Sequence, residues 1–239
     1  MAKLKTLVTQ LCPPVLLPAV RAAYRALGGG KRSAALTLHP HSQDLDVYWD
    51  PEMERILETW GEGNVWDEIQ LLLAGRRGRV LDIACGTGKT MQILAAHSGL
   101  ELHGCDISDK LLERAVARGL LRERLHVGDA TRLPYPDDHF DYAYSIGSLE
   151  HFTEDGIGRL LAECHRVTRY IAFHQHPISR SGSDEGWIKT MQSYFNNGID
   201  WWLPRYRAVY ADVRILPSRW EDTRSFGRWF VCVKRDPER

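Results

Sequence analysis

The chain carries no excess of charge of either sign, because 31 lysines and arginines meet 31 aspartates and glutamates. That balance argues against broad electrostatic binding of nucleic acid, which draws on surplus cations facing phosphate. Long apolar runs are missing too. Pro13, Pro14 and Pro18 break the first apolar stretch, so nothing reaches the ~20 residues that span a bilayer, and the same breaks argue against a secretory signal. Cysteine is scarce, five residues with no Cys-x-x-Cys pair. A reducing cytoplasm fits that usage better than a disulfide framework. Internal repeats and low-complexity tracts are absent. What is left, at 239 residues and 44% apolar content, is one full core with appendages.

One further absence is more informative. "VLDIACGTGKT", Val80 to Thr90, ends in the Gly-Lys-Thr of a phosphate-binding loop, but the leading glycine of such a loop would fall at Ile83. The surroundings point elsewhere. Arg79 to Ala84 is a short apolar run centred on Val80, Leu81 and Ile83, as in a strand buried on both faces of a parallel sheet. Gly86 and Gly88 follow, and then Met91, Leu94, Ala95 and Ser98 fall at helical spacing before Gly99. Strand, glycine turn and helix form the first half of a nucleotide-binding unit, in which small residues let the backbone approach a ligand. An acidic residue about 20 positions on completes the pattern. Asp106, in "LELHGCDIS", stands there.

These residues resemble the class I S-adenosylmethionine-dependent methyltransferases. "VLDIACGTG" is similar to their first motif, "LHGCDIS" to the second and "VGDATRLPYPDDHFDYAYS" to the third, all in order between Val80 and Ser145. The resemblance implies an α/β fold: a Rossmann-like doubly wound sheet of about seven strands, mostly parallel with a late antiparallel strand, plus an N-terminal helical arm. It implies S-adenosyl-L-methionine as cofactor, with S-adenosyl-L-homocysteine as product, held by Asp82, Ala84, Gly86, Gly88, Asp106, Ile107, Asp129, Ala130 and Ser145. No phosphate is then involved, and Lys89 becomes a helix-surface residue. A nucleotidase using "GTGKT" and a cofactor-binding scaffold without turnover are the competing readings.

The rest of the chain is arranged around these motifs. Residues 1–30 form a basic, proline-broken amphipathic arm, with Gly28 to Gly30 as hinge; residues 1–27 either lie on an anionic membrane surface or pack on protein. Residues 31–78 form a helical cover for the cofactor. In it Asp50 and Pro51 start one helix, Asn64 caps "VWDEIQLLLAG" with Val65, Ile69, Leu72 and Leu73 as its stripe, and Tyr48 and Trp49 are candidate lid contacts. Residues 79–239 form the cofactor-binding domain. Ser108 and Gly119 bracket its next helix, "RLHVGDA" is a strand ending at Asp129, and Leu160, Leu161, Cys164 and Val167 line a later helix. "VTR" replaces the family's Pro-Gly-Gly turn before "YIAFHQHP". An aromatic-rich insertion at about 177–208 precedes two late strands, Val209 to Leu216 and Gly227 to Lys234.

An activated methyl group calls mainly for alignment of acceptor and sulfur, and a hydroxyl acceptor also needs a base within about 3 Å. His151 in "SLEHF" occupies the position where related small-molecule methyltransferases place a histidine, with Glu150 beside it to orient the ring or to face a helix cap. His174 and His176, two apart on a strand, point to one side and are the alternative catalytic candidates. They lack a third ligand for a metal, so no metal is expected. "SIGS" after the fourth strand is unlike the Asn/Asp-Pro-Pro-aromatic stretch of amino-adenine enzymes, and no cysteine nucleophile stands nearby; a nucleic-acid acceptor is not expected. The tail resembles methyltransferases of bacterial surface-polysaccharide and glycolipid assembly. Aromatic faces suit sugar C–H surfaces, and Asn196 and Asn197 can bond hydroxyls, so the expected partner is a glycan or other small-molecule acceptor. Trp220 and Trp229 are expected in the sheet core, and Trp201 and Trp202 can simply anchor a helix.

Overall fold

The structure, a computed structural model, describes residues 55–189 and 193–236. The N-terminal arm, its membrane reading, Tyr48, Trp49 and the Asp50–Pro51 start lie outside those residues. The first complete helix, α1 (Val65–Leu72), begins where Asn64 Oδ1 accepts the Val65 amide, and it buries Val65, Trp66 and Ile69. Strand β1 (Gly78–Ile83) leads through the glycine loop to α2 (Lys89–Leu94) and β2 (Leu100–Asp106). Helix α2 stops well short of Gly99, because His97 and Leu100 turn back onto Leu94 and His97 carbonyls. Ser108 Oγ caps α3 (Asp109–Ala117) by accepting the Leu111 amide, and Gly119 follows at φ +98°.

Strand β3 (Leu125–Val127) ends two residues before the expected Asp129, since Gly128 donates to the Asp106 carbonyl and Asp129 Oδ1 accepts from Thr131 in a turn. Strand β4 (Phe140–Ile146), a 3-10 turn (Leu149–His151), α4 (Glu154–Val167) and β5 (Thr168–Ser179) follow. Helix α4 passes into β5 without a loop, which is what "VTR" in place of a glycine turn allows. The aromatic-rich segment forms a small hairpin, β6 (Trp187–Lys189) with β7 (Ser193–Phe195), and then α5 (Ile199–Arg207). The late strands are β8 (Asp212–Glu221) and β9 (Ser225–Val233). Residues 209–211 are not in a strand: Val209 and Tyr210 still donate to the Tyr206 carbonyl and continue the helical turn.

The sheet order is β3-β2-β1-β4-β5-β9-β8, with β9 antiparallel to both neighbours and the other strand pairs in the first five parallel. Both faces are covered. Leu81, Ile83, Ala143, Ala172 and Phe230 face one apolar cluster with α4 and α5, whereas Val80, Tyr144, Phe173 and Trp229 face another with α1. Because β1 pairs with β2 on one side and β4 on the other, strand order reverses there. The crevice at the carboxyl ends of such strands is where open α/β sheets bind ligands.

Candidate active site

A cavity of about 260 Å³ opens at that crevice. One end is formed by the loop after β1 and the ends of β2 and β3: Ala84, Gly86, Asp106, Ile107, Asp129 and Ala130. The loop is tightly wound. Ala84, Gly86 and Gly88 all have positive φ (57°, 54° and 71°), and for Ala84 that conformation is strained. A Cβ on Gly86 would approach only Leu57 Cδ1, at 3.7 Å, so this glycine faces the open cavity. Gly88 is different. Its Cβ would fall 2.4 Å from Leu120 Cδ1 and 3.0 Å from Ala115 Cβ, so its expected cofactor contact gives way to close packing of α2 against α3.

Asp106 Oδ2 accepts from the Gly86 amide and Oδ1 from the Ser108 amide, both at 2.8 Å. Burial raises its carboxyl pKa, and the backbone donors pull it partly back. Ile107 forms an apolar lip, 42% exposed. Asp82 lies in a smaller adjoining lobe with Thr87, Lys89 and Trp66. Its Oδ2 accepts from the Tyr144 hydroxyl at 2.8 Å, and burial pushes its carboxyl well above the ordinary range. A cationic group placed beside these two carboxyls would draw them back toward the ionised form. Lys89 is partly covered, its ammonium 5.8 Å from the Trp66 ring centre. Ser145 does not reach the cavity: it is fully buried, and its Oγ lies 2.8 Å from His174 Nδ1.

The other end of the cavity is built by Trp60, Ser148, Glu150, His151, Gln175 and Trp220. His151 Nδ1 lies 2.7 Å from the Ser193 carbonyl, which can only accept. Nδ1 therefore holds the proton and Nε2 a free lone pair. The Tyr194 ring sits edge-on at 6.0 Å. Burial holds the imidazole down to about 4, while it pushes the neighbouring Glu150 carboxyl up to about 8. Among the described residues, no group of three His, Cys, Asp or Glu side chains is arranged to hold a metal ion.

His174 and His176 do point to one side of β5, but that side is the core beneath α5. Both are fully buried; His176 Nε2 meets the Tyr206 hydroxyl at 3.0 Å, and its ring stacks on Tyr206 and Phe230. The residue between them, Gln175, is the one that lines the cavity. Asn196 and Asn197 are also consumed internally, by Glu185, Ser225 and the Gly186 amide. Trp202 packs on His176, and the Arg205 guanidinium lies 3.3 Å over the Trp201 ring. Trp229 is a core residue whose Nε1 donates to Glu68. Trp220 is half-buried: it packs against the core cluster on the α1 side and also lines the cavity, where the register of β8 against β9 shifts between Pro217 and Glu221 and such irregularities re-aim side chains.

Residues 80–170 match the model of a methyltransferase domain. The 27-O-demethylrifamycin SV methyltransferase of Amycolatopsis mediterranei is 34% identical over 113 residues, 45% of this chain and 41% of that protein. The demethylmenaquinone methyltransferase of Thermotoga maritima is 36% identical over 122 residues, 49% of this chain and 51% of that one. The chain thus spans about half or less of the curated relatives it matches. An S-adenosylmethionine-dependent methyltransferase from Mesorhizobium loti shares the fold, with a TM-score of 0.57 at 16% identity over 74% of this chain and all of that one. On the ordered motifs, the strand order and the match over residues 80–170, the chain carries a methyltransferase domain of the class I S-adenosylmethionine-dependent kind, whose cofactor is S-adenosylmethionine.

Proposed function

We propose that this protein transfers a methyl group to a hydroxyl oxygen of a small acceptor, with His151 as the base. The observation that carries this reading is the Nδ1 bond from His151 to the Ser193 carbonyl, which leaves Nε2 as an unprotonated base in the cavity. The cofactor end suits its ligand. Asp106 would take ribose hydroxyls, Ile107, Asp129 and Ala130 would enclose adenine, and Ala84 and Gly86 would lie along the amino-acid portion, with the Asp82 carboxyl nearby for its cationic group. Bound S-adenosylmethionine supplies a methyl group already activated for displacement. The chain has three remaining tasks. The walls of the cavity, Trp60 and Trp220 among them, hold the acceptor in line and exclude water. His151 Nε2 accepts the hydroxyl proton as the oxygen bonds to the methyl carbon. The Ser193 carbonyl steadies the imidazolium that results.

Two of the relatives are named for transfer to oxygen, one of them on a demethylrifamycin, whereas a third is named for demethylmenaquinone. A sugar hydroxyl stays within the proposal on the strength of the Trp60 and Trp220 walls. No helix among the described residues is long and apolar enough to cross a membrane, and membrane attachment by residues 1–27 remains a separate proposal. Incubation with labelled S-adenosylmethionine and fractionated small molecules, glycolipids and glycans tests the reading. Label is expected on oxygen in a neutral acceptor. Label on nitrogen only, or tight binding of ATP without binding of S-adenosylhomocysteine, would overturn it; cofactor binding without any transfer would favour a scaffold.

A further inference from the structure

Eight buried side-chain atoms have no hydrogen-bond partner among the described residues, and four of them belong to three residues at one end of the cavity: Ser148 Oγ, Glu150 Oε2, Gln175 Oε1 and Gln175 Nε2. Buried polar atoms are ordinarily paired, so four orphans on three residues that line one cavity mark a place where polar atoms of a ligand would complete the pairing. Gln175 is 1% exposed, Glu150 4% and Ser148 8%. Their placement is fixed by the sheet. Ile146 pairs with Gln175 across β4 and β5, and the Gly147 amide donates to the Gln175 carbonyl at 2.8 Å, so the turn carrying Ser148 and Glu150 starts level with Gln175. Room for the carboxamide comes from Gly227 on β9, where a Cβ would lie 2.6 Å from Gln175 Nε2. Among the described residues no lysine or arginine lines the cavity, which makes that lining a poor host for an anion. Serine hydroxyl and glutamine carboxamide each both donate and accept, a match for neighbouring oxygens.

We propose that Ser148, Glu150 and Gln175 recognise an uncharged acceptor that carries a second oxygen vicinal to the reacting hydroxyl, either a vicinal diol or a hydroxy-carbonyl. This rests on reading the cavity as a hydroxyl-methylating site, and it names the acceptor's chemistry. His151 takes the proton of one oxygen, and the three residues hold the other. The flat walls of Trp60 and Trp220 accept a pyranose face or an aromatic ring, so the two sources of such a pair are kept apart by the probes.

The test is binding, measured calorimetrically on the full chain with and without S-adenosylhomocysteine. Catechol is compared with phenol, and methyl α-mannopyranoside with its 2-deoxy analogue. At least one two-oxygen probe should bind about tenfold or more tightly than its partner, and Gln175→Met, which keeps volume but removes both polar atoms, should shrink that preference to about threefold or less. Ser148→Ala should lower it as well, which keeps the test open should Gln175→Met not fold, and Glu150→Gln should preserve most of it. A catechol preference assigns aromatic acceptors, and a mannoside preference assigns sugars. Equal binding within both pairs, no binding of any probe, or a preference that survives Gln175→Met and Ser148→Ala would overturn the proposal. Failure of methyl transfer to oxygen shows separately, in the labelling experiment, whatever the probes do.

Discussion

His151 Nε2 lies 3.7 Å from Glu150 Oε1, beyond hydrogen-bonding reach, and the same burial drives the two neighbours in opposite directions: the imidazole down to about 4, the carboxyl up to about 8. Both are therefore uncharged at neutral pH. A neutral imidazole can accept a proton, and a neutral carboxyl can donate a hydrogen bond. Environments that split two adjacent groups in this way are a common means of assigning acid and base roles.

The pH profile follows from those values. His151 works as a base only when deprotonated, so kcat/KM should rise as pH passes through about 4. Glu150 binds acceptor as a neutral donor, so kcat/KM should fall as pH passes through about 8. Where an unperturbed histidine would give one step near about 6.5, the rate should instead hold a plateau across neutral pH. Glu150→Gln should remove the upper limb and leave the lower. An unchanged upper limb in that variant would take Glu150 out of the profile.

Asp106→Ala should weaken S-adenosylhomocysteine binding by at least about tenfold, since each hydrogen bond from a ribose hydroxyl to a charged acceptor contributes about 1.5–3 kcal/mol. The substitution also frees the Gly86 and Ser108 amides, so loosening of the loop adds to the loss. Titration calorimetry measures it. An unchanged dissociation constant would show that Asp106 is not the ribose ligand.

Gly86 and Gly88 should fail in different ways. Gly86→Val places a branched side chain in the cavity, and cofactor binding should be lost. Gly88→Ala meets Leu120 and Ala115 at φ +71°, so its main effect should be destabilisation by about 1–3 kcal/mol. Thermal melts run beside cofactor titrations separate the two. Equal stability losses would contradict the assignment.

The frame was legible because its signals are local: the apolar run of β1, the glycine turn and Asp106 all fall between Arg79 and Asp106, and each maps directly onto backbone geometry. The acceptor end was less so. Alternation along β5 correctly put His174 and His176 on one face, but which face meets the cavity depends on where α4 and α5 pack, and that is a tertiary matter. Trp220 was hidden for a similar reason, because the shifted register of β8 leaves no sequence signal as plain as a glycine. Ser193 fixes the His151 tautomer through its backbone carbonyl, a group every residue carries.

If His174 and His176 are core residues, replacing them should lower stability without touching turnover per folded molecule. His176→Ala would leave a void among Tyr206, Trp202 and Phe230 and should cost about 2–5 kcal/mol. Denaturant titration paired with active-site-normalised rates checks this. A stable His176→Ala protein with strongly reduced turnover would return that residue to the mechanism.

The most direct test of His151 as base is single-turnover methyl transfer by His151→Ala, using labelled S-adenosylmethionine and whichever acceptor the labelling screen identifies. The chemical step should slow by about 10²- to 10⁴-fold, with the affinity for S-adenosylhomocysteine nearly unchanged and the rise in rate through about pH 4 abolished. Near-normal turnover with the wild-type pH profile would contradict the account and leave methyl transfer to alignment alone.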